Sequence, residues 1–206
     1  MVRMTLPNQL TTLRILLTPL FVWLILSDSS TMRLWGIGVF TLASLTDLYD
    51  GYHARKYGET TRWGAFMDPL ADKILITAAF LVFVLNGIVE LWMVIVVFLR
   101  DVLVTVLRLY AELKDKPVIT SRSAKLKTLM QNLLAYLLLL LMLLSERSVF
   151  DESIAATAAE WLHAPQIRLL MLGLTIYTVY TGIAYLVENW PLLRAAYLSN
   201  RSSVKA

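Results

Sequence analysis

Four aspartates stand close together in the chain, with strongly apolar sequence on both sides. Asp47 and Asp50 are spaced i, i+3, and Asp68 and Asp72 are spaced i, i+4, so each pair shares one face of a helix. An aspartate that faces lipid at the centre of a bilayer costs about 2.5–3.5 kcal/mol. Four of them would cost an amount comparable with the net stability of a whole fold, about 5–15 kcal/mol. The four carboxylates are therefore predicted to face a wet cavity and to be neutralised by cations.

The residues around the aspartates favour divalent cations and a phosphate-bearing substrate. The chain has no cysteine, and only His53 stands nearby. Oxygen-only ligands suit Mg²⁺, Mn²⁺ or Ca²⁺ better than Zn²⁺, and open coordination positions would accept a phosphate or diphosphate. Gly51, Ala54 and Gly64 have little or no side chain, which lets a large group approach the backbone. Arg55 is suited to bidentate pairing with phosphate.

Long apolar blocks surround these residues and must position them. The chain has 206 residues, of which 58% are hydrophobic and 17% charged, whereas a soluble domain is about half apolar and about a quarter charged. The pattern predicts an all-α membrane protein and a single domain over residues 1–206, because no linker-like segment divides the chain. A short interfacial helix within residues 1–10 is expected before the first span. Six transmembrane helices are predicted at about 12–27, 32–54, 65–85, 90–111, 128–145 and 167–188.

The distribution of basic residues predicts the orientation of these spans. With six spans, most of the nineteen Lys and Arg residues fall on the side that carries both termini. Such an excess marks the cytoplasmic side. Both termini and the acidic segment are therefore predicted to be cytoplasmic. The chain has no transit-like extension, which favours a bacterial inner membrane.

A second polar cluster is predicted on the fourth and fifth spans, in the segment from about 100 to 131. Two of its arginines are two helical turns apart and lie roughly on one face, with Asp101 as their expected partner. One interpretation is that the cluster sets the topology and that its side chains snorkel to the membrane surface. The other is that it binds a doubly charged phosphate on the acceptor, because a neutral acceptor would not need such a cluster. Its members are Arg100, Arg108, Arg122, Lys125 and Lys127.

The acidic segment resembles the signature of the CDP-alcohol phosphatidyltransferases, with every fixed position filled. The pattern is Asp47-x-x-Asp50-Gly51-x-x-Ala54-Arg55, eight residues, then Gly64-x-x-x-Asp68-x-x-x-Asp72. The resemblance extends over most of the chain, including Pro7-Asn8 with Thr11 and Arg14 at its start. The segments from Leu99 to Arg108 and from Ser123 to Gln131 are most similar to family members whose acceptor is sn-glycerol 3-phosphate.

The resemblance implies a reaction in which a free alcohol attacks the β-phosphorus of CDP-diacylglycerol and CMP leaves. The implied partners are CDP-diacylglycerol, sn-glycerol 3-phosphate, the lipid bilayer and a second copy of the chain, with no nucleic acid. The implied cofactor is Mg²⁺ or Mn²⁺, held by Asp47, Asp50, Asp68 and Asp72, and Asp72 also serves as the general base. The implied CDP-lipid site comprises Asn8, Thr46, Gly51, Ala54, Arg55 and Gly64.

Several alternatives remain open at this point. The acceptor alcohol of such an enzyme is sn-glycerol 3-phosphate or, alternatively, inositol phosphate, serine or phosphatidylglycerol. A cation- or proton-coupled transporter also places carboxylates within spans, but it gives no reason for the Gly, Ala and Arg spacing. A membrane prenyltransferase also binds a diphosphate through aspartates. A structural role for the aspartates, as ion pairs with Arg55, Arg62 and Lys73, is the remaining alternative.

Overall fold

The part of the chain that the structure describes consists of α-helices joined by short turns. The computed structural model describes the backbone of residues 6–57, 62–113 and 122–203, and the side chains of residues 8–46, 67–111 and 123–191. Within these ranges there are seven helices and no strand, which confirms the all-α class. The helices are α1 (Leu6–Ile25), α2 (Ser30–Tyr57), α3 (Arg62–Leu85), α4 (Leu91–Leu113), α5 (Arg122–Leu144), α6 (Glu152–Leu162) and α7 (Pro165–Ser203).

The outer surface of the bundle is apolar, as a lipid environment requires. Large side chains such as Leu16, Trp23 and Val187 are more than 60% exposed. Among the described residues, α1, α5 and α7 contain stretches long and apolar enough to cross a membrane, at 8–25, 123–144 and 165–191. A contiguous exposed apolar surface of this kind is costly in water and favourable in lipid. The chain is therefore an integral membrane protein.

Several helices differ from the sequence prediction. Helix α1 runs continuously from Leu6 into the first apolar stretch, so the described residues contain no separate interfacial helix before it. Helix α6 lies between the predicted spans 128–145 and 167–188, where no helix was predicted; its alanines are strong helix formers, and Ala155, Ala158 and Leu162 are buried. Helix α7 continues well past 188, the predicted end of the last span, and has Pro191 inside it.

The packing of the helices brings the two predicted polar segments towards each other. Helix α1 packs against both α2 and α3, while α4 packs against α3 and α7, and α5 packs against α3, α6 and α7. Helices α3 and α4 form an antiparallel hairpin whose turn contains Asn86 and Gly87. Gly87 has a φ of +68°, a left-handed conformation that glycine adopts without steric cost. The first half of α3 therefore lies beside the second half of α4.

An ion pair ties α2 to the segment that follows α5. The Nη2 of Arg33 donates to the Oε2 of Glu146 at 3.0 Å. Burial acts to raise the pKa of the Glu146 carboxyl, but hydrogen bonds from Arg33 and Ser30 and the charge of Arg33 outweigh it, so the pKa lies below its ordinary value. The contact joins residues 113 positions apart and helps to fix the two helices relative to each other.

Candidate active site

A buried polar face on α1 lies against the helices that carry the aspartates. Asn8, Thr11, Arg14 and Thr18 are all buried, and their spacing of three, three and four places them on one face. The hydroxyl of Thr11 donates a hydrogen bond to Oδ1 of Asp68 on α3. This contact fixes the orientation of one predicted metal ligand from a neighbouring helix.

The two acidic pairs lie on consecutive helices. The backbone places Asp47 and Asp50 on α2, and Asp68 and Asp72 on α3, where both side chains are half-buried. Thr46 is half-buried and its hydroxyl donates to the Ala43 carbonyl at 2.7 Å. Seven predicted site residues lie outside the ranges in which side chains are described: Asp47, Asp50, Gly51, Ala54, Arg55, Gly64 and Arg122. For these residues the predicted roles stay predictions.

One cavity of about 810 Å³ collects residues from both predicted polar segments. It lies between the first half of α3, the second half of α4 and the start of α5. Its ionisable lining comprises Asp72, Lys73, Arg100, Asp101, Arg108 and Lys125. The excess of basic over acidic groups makes the cavity attractive to an anion. Arg108 and Lys125 are exposed, so their charged ends are accessible to a ligand.

The carboxylate of Asp101 forms ion pairs with basic side chains of three helices. Its carboxylate accepts hydrogen bonds from Lys127 Nζ at 2.6 and 2.7 Å and from Arg100 Nη1 at 3.1 Å. Lys73 Nζ lies 3.6 Å from its Oδ2. The carboxylate thus links Lys73 of α3 and Lys127 of α5 to its own helix, α4. The expected pairing with Arg100 is present, and two lysines join it.

The two lysines of α5 have different surroundings. Lys125 lines the cavity and is exposed. Lys127 is 0% exposed, and its ammonium group donates to Asp101 and to the side chain of Gln131. A buried ammonium held by a carboxylate and an amide oxygen is suited to fixing the helices in place. Two residues apart on one helix, these lysines point in different directions.

A polar stripe on α7 was not singled out from the sequence. Thr178, Thr181, Tyr185 and Asn189 are buried and recur at intervals of three and four. The hydroxyl of Thr181 accepts a hydrogen bond from Nη2 of Arg100 at 3.1 Å. Polar residues at helical spacing within an otherwise apolar span are the signal that would have identified this face. The hydrogen bond between Thr181 and Arg100 places α7 beside the basic side of the cavity.

An apolar groove of about 440 Å³ adjoins the cavity between α3 and α4. Four residues line both spaces: Pro69, Lys73, Thr105 and Leu109. Phe98, Val102 and Val106 contribute to the rest of the groove. A charged cavity and an apolar groove that share a wall suit a ligand with a charged head and an apolar tail.

The sequence profile of the CDP-alcohol phosphatidyltransferases matches residues 4–176, which covers both the acidic segment and the basic cavity. The chain belongs to the CDP-alcohol phosphatidyltransferase family. This assignment confirms the resemblance carried by the aspartate pattern, and it makes the chain a phosphatidyltransferase enzyme of phospholipid synthesis.

Similar proteins in bacteria carry names that fit this family. A Bacillus subtilis (strain 168) protein named CDP-diacylglycerol–glycerol-3-phosphate 3-phosphatidyltransferase is 34% identical over 203 residues, which span 93% of this chain and 98% of the relative. A Rickettsia typhi protein of the same name is 39% identical over 126 residues, 61% of this chain and 71% of the relative. A Mycobacterium tuberculosis protein named probable phosphatidylglycerophosphate synthase is 37% identical over 129 residues, 61% of each chain.

Proposed function

We propose that this phosphatidyltransferase transfers the phosphatidyl group of CDP-diacylglycerol to sn-glycerol 3-phosphate, giving phosphatidylglycerophosphate and CMP. The observation that carries the proposal is the shared cavity, in which Asp72 of the family signature lies with Arg100, Arg108 and Lys125 of the second cluster. The names of the bacterial relatives support the same pair of substrates.

The charge of the cavity favours an acceptor that carries a phosphate. Arg100, Arg108 and Lys125 offer charge-assisted hydrogen bonds, and arginine matches phosphate oxygens in a bidentate geometry. Serine and phosphatidylglycerol carry no phosphomonoester dianion, so they would leave this excess of basic charge uncompensated. Inositol phosphate carries one and is the acceptor that the same cavity fits next best. Family membership favours this reaction over transport or prenyl transfer.

Asp72 is proposed as the general base. It lines the same cavity as the proposed phosphate ligands, so a bound glycerol 3-phosphate would have its free hydroxyl within reach of the carboxylate. The hydroxyl oxygen forms a bond to the β-phosphorus of the CDP-lipid while the bond from that phosphorus to the oxygen of CMP breaks. The hydroxyl proton passes to Asp72, and CMP leaves with the electron pair. The Asp72→Asn variant is expected to lose at least a hundredfold in kcat.

The residues present fit a divalent cation. The donor set on α3 is two carboxylates on one helix face, and Thr11 fixes one of them by a hydrogen bond, as outer-shell partners of metal ligands do. With Asp47 and Asp50 on α2, they would form an all-oxygen ligand set suited to Mg²⁺ or Mn²⁺. A bound cation would neutralise the diphosphate and stabilise the charge that develops on CMP.

The donor lipid is proposed to bind with its CDP head group at the acidic segment and with an acyl chain in the apolar groove. Asn8, Thr46, Gly51, Ala54, Arg55 and Gly64 are the proposed CDP-lipid residues. Asn8 is buried on the same face of α1 as Thr11, which supports a role beside Asp68. The apolar groove between α3 and α4 is suited to an acyl chain, because its wall is continuous with the charged cavity.

The test is a reconstituted reaction in detergent with CDP-diacylglycerol, Mg²⁺ and labelled glycerol 3-phosphate. CMP release that depends on both substrates, with label in a lipid product, supports the proposal. Arg108→Gln is expected to raise the KM for glycerol 3-phosphate about tenfold. Arg147→Gln, an exposed arginine outside the cavity that pairs with Glu152, is the matched control. Turnover with inositol phosphate, serine or phosphatidylglycerol but not with glycerol 3-phosphate would overturn the proposed acceptor.

We also propose that α1 to α5 and α7 are six membrane spans of one domain, with both termini and the cavity on the cytoplasmic side of a bacterial inner membrane. The excess of basic residues on that side supports this arrangement. The chain has no cysteine, so each introduced cysteine reports alone. Asp151→Cys should react with an impermeant thiol reagent in intact cells, and Lys205→Cys should react only after lysis. A homodimer, as the resemblance implies, is expected by light scattering in detergent.

A further inference from the structure

The side chain of Arg100 crosses from α4 to α7 and lies directly on the backbone of α7. A Cβ atom added at Gly182 would stand 3.0 Å from Cγ of Arg100 and 3.8 Å from its Nε. A separation of 3.0 Å is tighter than ordinary van der Waals contact, so any side chain at position 182 would have to displace the stem of Arg100. The glycine therefore provides the space in which this arginine lies.

The guanidinium of Arg100 donates hydrogen bonds to acceptors on two helices, α4 and α7. Its Nη1 donates to Oδ1 of Asp101 at 3.1 Å, and its Nη2 donates to Oγ1 of Thr181 at 3.1 Å. The Thr181 hydroxyl donates its own proton to the Thr178 carbonyl at 3.0 Å, which leaves the oxygen free to accept from the arginine. Thr181 is 0% exposed, so water does not compete for this bond.

We propose that α7 positions Arg100 for the acceptor phosphate through Thr181 and Gly182, and that these two residues set the affinity for the acceptor without touching it. The inference rests on the proposed function, because it takes the cavity as the acceptor site. Arg100 lines that cavity, whereas Thr181 and Gly182 lie behind it. They are positioning residues. Because a planar guanidinium binds phosphate only in a fixed orientation, a small displacement weakens acceptor binding selectively.

Glycine-to-alanine substitutions at two positions of α7 test the role of Gly182. Gly182→Ala places a methyl group against Arg100, while Gly173→Ala, on the same helix, has no neighbouring atom within 4 Å. Both substitutions raise helix propensity by the same amount. Gly182→Ala is expected to raise the KM for glycerol 3-phosphate about tenfold and to change the KM for CDP-diacylglycerol less than twofold. Gly173→Ala is expected to change neither.

Variants of Thr181 test the hydrogen bond from Arg100 separately from the space that Gly182 leaves for its side chain. Thr181→Val removes the accepting oxygen and keeps the shape of the side chain, whereas Thr181→Ser keeps the oxygen. The valine variant should raise the KM for the acceptor about fivefold, and the serine variant should restore it to within twofold of the wild type. Equal values for the two variants, or an equal rise in the KM for CDP-diacylglycerol, would overturn the proposal.

A binding measurement separates this inference from the proposed function. Inorganic phosphate should raise the melting temperature of the wild type and of Gly173→Ala, and should raise that of Gly182→Ala less. If the wild type released no CMP with glycerol 3-phosphate but phosphate protected it in this order, the proposed acceptor would fail and the role of α7 would stand. Equal protection of the two alanine variants would contradict the role of α7, whatever the acceptor.

Discussion

Asp101 contacts three basic side chains, so removing its charge and removing one of its partners should cost different amounts. Asp101→Asn leaves Lys73, Arg100 and Lys127 without the carboxylate that they share, and Lys127 is 0% exposed. Removing one partner of a buried ion pair costs about 3–5 kcal/mol. Lys127→Met leaves Asp101 with Arg100 at 3.1 Å and Lys73 at 3.6 Å. That loss is one of hydrogen bonds to a charged group, about 1.5–3 kcal/mol.

Thermal unfolding in detergent measures both costs, with the fluorescence of the six tryptophans as the signal. A change of 1 kcal/mol shifts the melting temperature of a chain of this size by about 2–4 °C. Asp101→Asn should therefore lower the melting temperature by about 6–20 °C, and Lys127→Met by roughly half as much. The double variant should be more stable than Asp101→Asn alone, because it removes one of the uncompensated charges.

Two results would refute this reasoning. If Lys127→Met destabilised the protein as much as Asp101→Asn, the carboxylate would not be the shared partner of the three cations. If Lys127→Met left the melting temperature unchanged and raised the KM for glycerol 3-phosphate, Lys127 would be a direct ligand of the acceptor phosphate. In that case the original assignment from the sequence would hold, and the buried contact with Asp101 would carry little energy.

Three further predictions follow from other contacts. Thr11→Val removes the hydrogen bond to Asp68 and should raise the Mg²⁺ concentration for half-maximal CMP release about 10–100-fold; Thr18→Val, on the same face of α1, is the control and should not. Chelation with EDTA should abolish CMP release, and added Mg²⁺ or Mn²⁺ should restore it; activity that persists in EDTA would contradict the metal site. Because folding lowers the pKa of Glu146, its contact with Arg33 should stabilise the fold fully above about pH 4.3, the ordinary glutamate value, and the stabilisation should be lost as the pH falls through the lowered pKa. Glu146→Gln should remove that pH dependence and lower the melting temperature at pH 7 by several degrees.

Much of the fold follows from local sequence signals. Apolar blocks of about twenty residues predict the long helices, and Asn86-Gly87 predicts the turn between α3 and α4 because glycine reaches positive φ without cost. Local sequence signals did not predict where α7 ends or that α6 exists. A membrane helix such as α7 tolerates a proline inside it when neighbouring groups satisfy the carbonyl that the proline leaves without a hydrogen bond. Helix α6 depends on the burial of its small residues against α5.

The candidate site was predictable in its residue types and less so in its partners. The spacing of the aspartates and the family resemblance single out Asp68 and Asp72, and the intramembrane arginines single out Arg100. The different surroundings of Lys125 and Lys127 could not be predicted, because basic residues two positions apart look equivalent in sequence and differ only once Lys127 of α5 reaches Asp101 of α4. The contribution of α7 was missed because a buried threonine in a span is usually a local hydrogen-bond donor to its own helix.

The left-handed turn at Gly87 has a mechanical consequence for the cavity. The turn joins α3 to α4, and the cavity lies near Lys73, twelve residues from the end of α3 at Leu85. At 1.5 Å per residue this is a lever arm of about 18 Å. A pivot of about 5° at the turn would change the gap between α3 and α4 at the cavity by about 1.5 Å, and a misplacement of about 1 Å can cost a hundredfold in rate. A substitution that altered the backbone at Gly87 would therefore reach the cavity from the other end of the α3–α4 hairpin.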